Sequence, residues 1–138
     1  MSDLIRFGVS IDKGLIRKFD SLIKGEKYSN RSEAIRDMIR EKLVKKEWLG
    51  KDEVAGTITL VYDHHKRDLL NSIVDIQHDF HHLIIANQHV HLDHHNCLEI
   101  IIVKGKPGKI EELAHRLKST KGVKHGQLTP TTTGKELA

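Results

Sequence analysis

The chain has 138 residues, with 23 Lys and Arg against 19 Asp and Glu, 11 histidines and a single cysteine. That length allows one ordinary domain or two small ones, and one cysteine excludes an internal disulfide. No apolar run reaches the roughly 20 residues of a membrane span. No signal-peptide pattern opens the sequence, so a cytoplasmic chain with no membrane partner is expected.

The charge is unevenly spread. Residues 1–50 hold 12 basic against 8 acidic side chains and residues 51–138 hold 11 of each, so the whole excess of 4 lies in the first part. Nine of the 11 histidines fall between His64 and His95. One end is basic and the other is rich in metal-ligand types. The expected division is therefore into two domains, residues 1–50 and 51–138, of α+β class.

In chain order, Ile5, Phe7, Val9 and Ile11 alternate with Arg6, Gly8 and Ser10, the pattern of a half-buried strand. Asp12 can cap a helix whose stripe is Leu15, Ile16, Phe19, Leu22 and Ile23. Residues 24–29 break it. Asn30 with Glu33 three positions on has the spacing of a capping box opening a second helix, with Ala34, Ile35, Met38, Ile39, Leu43 and Val44 on one side.

One strand and two helices cannot bury enough apolar surface alone. Two copies can, if their strands pair as an antiparallel ribbon above interlocked helices. Such a ribbon fits the DNA major groove and turns Arg6, Gly8 and Ser10 outward. The start of the second helix, at Ser29, Asn30 and Arg31, suits phosphate through its amides and dipole. The run Asn30-Arg31-Ser32-Glu33-Ala34-Ile35-Arg36-Asp37 resembles the same helix start in ribbon-helix-helix repressors. An ordinary capped amphipathic helix would read alike from this run alone. The alternating strand before it and the local basic excess favour double-stranded DNA.

Beyond a charged linker at residues 51–53, strand, helix, strand, strand, helix and strand patterns follow one another. This βαββαβ order is that of ferredoxin-like and ACT-type domains. The third pattern ends in His89-Val90-His91, whose two imidazoles leave the same face of a strand. A short polar stretch follows, and Cys97 opens the next apolar run. If these runs form a hairpin, the thiol returns beside the two imidazoles, giving a borderline-soft site with room for a fourth ligand. His78, on the preceding helix, is a candidate for that position, reached from a symmetry mate if the strand site faces away from its own helix. A solvated or packing role is the plainer reading of His-X-His alone, and an ordinary surface or loop role that of His81, His82, His94 and His95, whereas His64 and His65, where the first long helix of this part begins near the domain interface, are candidates for weak binding of extra metal. His115 and His125 read as structural and Trp48 as packing.

Taken together, Asn30-Arg31-Ser32-Glu33-Ala34-Ile35-Arg36-Asp37, Gln77-His78, His89-Val90-His91, Cys97-Leu98-Glu99 and Val103-Lys104-Gly105 resemble the nickel-responsive NikR regulators over nearly the whole length. The resemblance implies a homotetramer, two ribbon-helix-helix dimers flanking four ACT-like domains. It also implies one near-planar nickel ion per subunit, held by His89, His91 and Cys97 of one chain and His78 of another. Three imidazoles and a thiolate in a tetragonal site suit Ni(II) or Cu(II) better than tetrahedral Zn(II). Glu99 fits the family pattern as a group that orients a ligating histidine. A second cation held by Glu33 and Asp37 is implied between the domains, although neutralisation by Arg36, Arg40 and nearby lysines explains that acidic row as well. Gly8 departs from the pattern, because a small hydroxyl residue is expected there.

The expected function is a nickel-dependent operator-binding regulator, a repressor of nickel uptake genes and not an enzyme. It needs no small organic substrate. Metal would order two DNA-binding dimers that otherwise swing about a linker near Gly50. The alternatives are a metalloenzyme with Glu99 as base, a histidine-rich nickel store or chaperone, and a DNA-binding antitoxin.

Overall fold

The structure, a computed structural model, describes residues 3–137. Its contacts divide the chain into two compact units, Met1–Glu41 and Lys42–Ala138.

In the first unit, α1 (Lys13–Gly25) starts at Asp12, whose carboxylate accepts from the amides of Gly14 and Leu15 at 2.9 and 3.2 Å. Two otherwise unpaired amide donors are satisfied in this way. The helix ends where Lys27 takes a φ of 65°. The next helix, α2 (Arg31–Trp48), is capped by Asn30, whose Oδ1 accepts the Glu33 amide at 2.9 Å. Only half of the expected capping box forms, since the Glu33 carboxylate accepts from Ser29 Oγ at 2.7 Å. Arg31 ties the start of α2 to α1 through two bonds to Asp20, at 2.8 and 2.7 Å.

The strand expected at residues 5–11 does not form within the chain, and among the described residues the sheet lies in the second unit. A strand exists by hydrogen bonding to a neighbour, and two helices offer none. The alternation survives as exposed apolar side chains, with Ile5 at 86 % and Phe7 at 71 %.

The second unit consists of the end of α2, then β1 (Val54–Tyr62), α3 (Arg67–Asp79), a one-turn 3₁₀ helix (His81–Leu83), β2 (Ile84–His91), β3 (Cys97–Gly105), α4 (Pro107–Lys118) and β4 (Val123–Pro130). The strand order is β2-β3-β1-β4, with every neighbour antiparallel. This is the predicted βαββαβ arrangement with β1 and β3 in the centre. One face carries an unbroken buried row: Val54, Gly56, Ile58, Leu60 and Tyr62 on β1, and Cys97, Glu99, Ile101 and Val103 on β3. Leu69, Ile73 and Ile76 of α3 and Ile110, Leu113 and Leu117 of α4 cover that face. Gly122 makes the turn from α4 into β4 at a φ of +100°, which a side chain would strain.

The division between units falls inside α2 rather than at the expected residue 50. The last turns of α2 belong to the second unit because Trp48 packs against its core.

Candidate metal centre

The β2–β3 register builds the site. His91 lies directly opposite Cys97, and His89 opposite Glu99. Opposed residues on paired strands share a face, so both imidazoles stand over the thiol and the carboxylate. The face is the helix-covered one, because Cys97 and Glu99 continue the buried row. His89 stacks towards Tyr62 with centroids 5.9 Å apart, and the His89 and His91 rings are 5.5 Å apart.

Cys97 is fully buried, and its thiol donates to the Tyr62 carbonyl at 3.3 Å. Burial first, and the nearby Glu99 carboxylate second, push this thiol up from its ordinary value. The sulfur therefore stays protonated unless a cation replaces the proton. Two imidazoles beside a thiol that needs a cation to ionise suit a borderline divalent metal. His64 adds a third nitrogen donor nearby: its ring stacks on His91 at 4.2 Å and 7°, and its buried Nδ1 has no hydrogen-bond partner. Burial, helped by His65 and His91, lowers the basicity of His64.

Glu99, only 5 % exposed, is the anchor beneath the histidines. It accepts from Tyr62 Oη at 2.6 Å, Gln77 Nε2 at 2.8 Å and Asn87 Nδ2 at 3.1 Å. One carboxylate thus ties β1, α3 and β2 to β3. Burial and this carboxylate push the Tyr62 phenol far up, so it remains a donor. Tyr62, Gln77 and Asn87 were not singled out in the sequence, and only Gln77 had a signal, its place beside His78.

The donor atoms of His89, His91 and Cys97 share a face without all lying within 4.8 Å of one another. His91 is engaged with the His64 ring, and Cys97 with a carbonyl. His78 stands apart. It is exposed on the last turn of α3, its carbonyl accepts from His81 Nδ1 at 2.9 Å, and it lines a surface depression with Val74, Ile84 and Asn87. The helix does face the strand site, contrary to the alternative geometry considered above, yet it presents Gln77 rather than His78.

Among the described residues, the set of donor atoms that does lie within 4.8 Å of one another is Asp63, His65 and His95. The turn at residues 92–96 creates it. Asp93 accepts from the amides of His95 and Asn96, both at 2.8 Å, and folds the loop so that His95 comes beside His65. Asn96 also binds Lys124 of β4.

On the first unit, Arg6, Gly8 and Ser10 are exposed. Asn30 serves as the cap and Ser29 binds Glu33, whereas the Arg31 guanidinium is held by Asp20. Asp20 sits below the usual carboxylate range because of that pairing. Asp37 accepts from Tyr28 Oη at 2.8 Å, which pushes the phenol up to about 12, and lies 3.7 Å from Arg40.

These two units define a class: a ribbon-helix-helix DNA-binding module followed by a ferredoxin-like metal-binding module. Residues 5–46 match the ribbon-helix-helix protein family, and residues 55–131 match the NikR C-terminal nickel-binding domain. A candidate nickel-responsive regulator of Syntrophus aciditrophicus is 61% identical over 129 residues, covering 94% of each chain. Another from Nitratidesulfovibrio vulgaris is 56% identical over 99% of both chains, and one from Pyrococcus furiosus is 54% identical over 97% of this chain and 98% of that one. The chain belongs to the NikR family of nickel-responsive regulators. A solved structure of an uncharacterized protein from Thermotoga maritima shares only the fold, with a TM-score of 0.54 at 15% identity over 59% of this chain and 100% of that one.

Proposed function

We propose that the protein is a nickel-dependent transcription regulator that binds double-stranded operator DNA and represses nickel uptake genes. It acts in the cytoplasm, as a regulator and not an enzyme. The observation that carries the reading is the cross-strand register: His91 opposite a buried Cys97, and His89 on the same face beside it. His89, His91 and Cys97 would hold one nickel ion per subunit, with His78 of the partner subunit as the fourth donor. The exposure of His78 supports donation to another copy. When bound, nickel supplies a fixed cross-link between the donor groups of two chains.

The residues of the chain do the rest. Cys97 releases its proton when the cation enters, and Glu99 holds the sheet beneath His89 through Tyr62, Gln77 and Asn87. Exposed apolar side chains at Ile5, Phe7 and Val9 support pairing of two copies as a ribbon, and two such dimers joined through the metal domains make a homotetramer. Arg6 and Ser10 then meet base edges, and Ser29, Asn30 and Arg31 meet phosphate. A second cation between Glu33 and Asp37 would have to displace Ser29, Tyr28 and Arg40 from these carboxylates.

Nickel titration followed by ultraviolet absorption and by gel shift tests the reading. One ion per chain with thiolate charge transfer, and DNA binding that requires nickel, are expected. A Cys97→Ala protein that still answers to nickel as wild type does would refute it.

A further inference from the structure

The linker at residues 51–53 invites a hinge at Gly50, but the structure anchors the chain just before it. Trp48, at the end of α2, lies over Gly56 of β1. A Cβ on that glycine would sit 3.4 Å from two indole carbons and 3.1 Å from the Thr129 carbonyl. The indole thus packs at contact distance on the glycine, and the Thr129 carbonyl is the atom that a Cβ would crowd. The chain past β4 then closes over the same helix turn. Thr131 donates its amide to Ala55 O at 2.9 Å, and its carbonyl accepts Trp48 Nε1 at 2.8 Å. Thr132 Oγ1 donates to the Glu47 carboxylate at 3.0 and 3.2 Å and accepts the Gly134 amide at 3.0 Å. Gly134 takes a φ of +82°, which turns the tail back on itself.

We infer that Trp48, Glu47 and residues 131–134 form a clasp that positions the last turn of α2 on the metal-binding domain. The clasp carries metal occupancy to the DNA-binding unit. A flexible joint at residues 50–53 would waste any ordering achieved in the metal-binding domain. The clasp bypasses that joint, because it fastens the end of α2 itself, within the second unit. Both ends of one strand are involved. Tyr62 of β1 touches Glu99 and Cys97, while Ala55 and Gly56 of β1 hold Thr131 and Trp48. β1 is hydrogen-bonded on both sides along its length, so it links the two places as a stiff element. These are positioning residues, whose contacts are with the backbone and side chains of the second unit.

The inference rests on the nickel-dependent reading only for its DNA arm. Trp48→Phe removes the indole donor and keeps a ring, and Thr132→Val removes the hydroxyl and keeps the volume. The full-length double variant is compared with wild type in three assays. Trypsin cleavage after Lys45, Lys46 or Lys51 should be about tenfold faster, the effect of losing two modest hydrogen bonds. The nickel titration midpoint should stay within about twofold of wild type. Nickel-dependent affinity for a DNA selected by the loaded wild-type protein should fall about tenfold at fixed salt, the lower part of the usual range of coupling between sites. Thr132→Ser should restore the value of the Thr132→Val single variant towards wild type.

Wild-type cleavage rates and a wild-type nickel response in the double variant would overturn the clasp. So would a loss of nickel affinity parallel to the loss of DNA affinity, since that marks general unfolding. If wild type itself binds DNA without regard to nickel, the functional reading fails, and the proteolysis arm still decides whether the clasp exists.

Discussion

Tyr62→Phe isolates one bond beneath the metal centre. Tyr62 is 2 % exposed, and its hydroxyl donates to Glu99 Oε1 at 2.6 Å. Phe keeps the ring against the core and beside His89, so packing changes little and the lost bond dominates. A hydrogen bond to a charged acceptor contributes about 1.5–3 kcal/mol, and the Glu99 carboxylate, left with Gln77 and Asn87, stays buried without full compensation. The second unit should therefore lose about 2 kcal/mol. In urea the unfolding midpoint would drop by about 1 M, taking a slope near 2 kcal/mol/M. Paired with Glu99→Gln in a double-mutant cycle, the coupling should exceed about 1 kcal/mol. A midpoint unchanged within error, or coupling near zero, would mean that Glu99 does not need the phenol, and the account of how β1 supports the site would fail.

Further outcomes follow from other contacts. Because burial holds the Cys97 thiol protonated in the free protein, metal entry must expel a proton throughout the range below its raised value. Nickel affinity should thus rise about tenfold per pH unit between about pH 7 and 8, one proton leaving the thiol for each ion bound. A pH-independent titration over that range contradicts it. Arg31 is held by Asp20, so Asp20→Asn should free a cation for phosphate, tightening DNA binding and steepening its salt dependence by about 0.9 in the log–log slope. An unchanged slope would show that Arg31 does not meet phosphate. Phe7→Lys should weaken self-association through the first unit, read by sedimentation, because a charge replaces an apolar side chain that pairing would bury.

How much was legible depended on how far a feature reaches along the chain. The caps at Asp12 and Asn30 and the βαββαβ order were readable because caps act within three residues and side-chain periods within a turn or a pleat. The His-X-His spacing and the return of Cys97 after five residues likewise placed those three on neighbouring strands. The strand at residues 5–11 carried a true period but no partner in its own chain, so the pattern alone overstated what one copy forms. Of the convergent Asp63, His65 and His95, the sequence offered His65 as a weak extra metal ligand and nothing that joined it to the other two. Their convergence depends on how Asp93 folds a loop opposite another loop.

By itself the sequence determined the element types, their order and the side of each strand on which a donor falls, because backbone geometry repeats every few residues whatever lies around it. The tertiary structure decided the rest. It put the thiol row under the helices, gave Glu99 partners from three elements, and set Trp48 on Gly56 under a tail more than eighty residues later in the chain. Such pairings are settled by which surfaces can be buried together and which polar atoms must then find partners, and no local pattern encodes that choice.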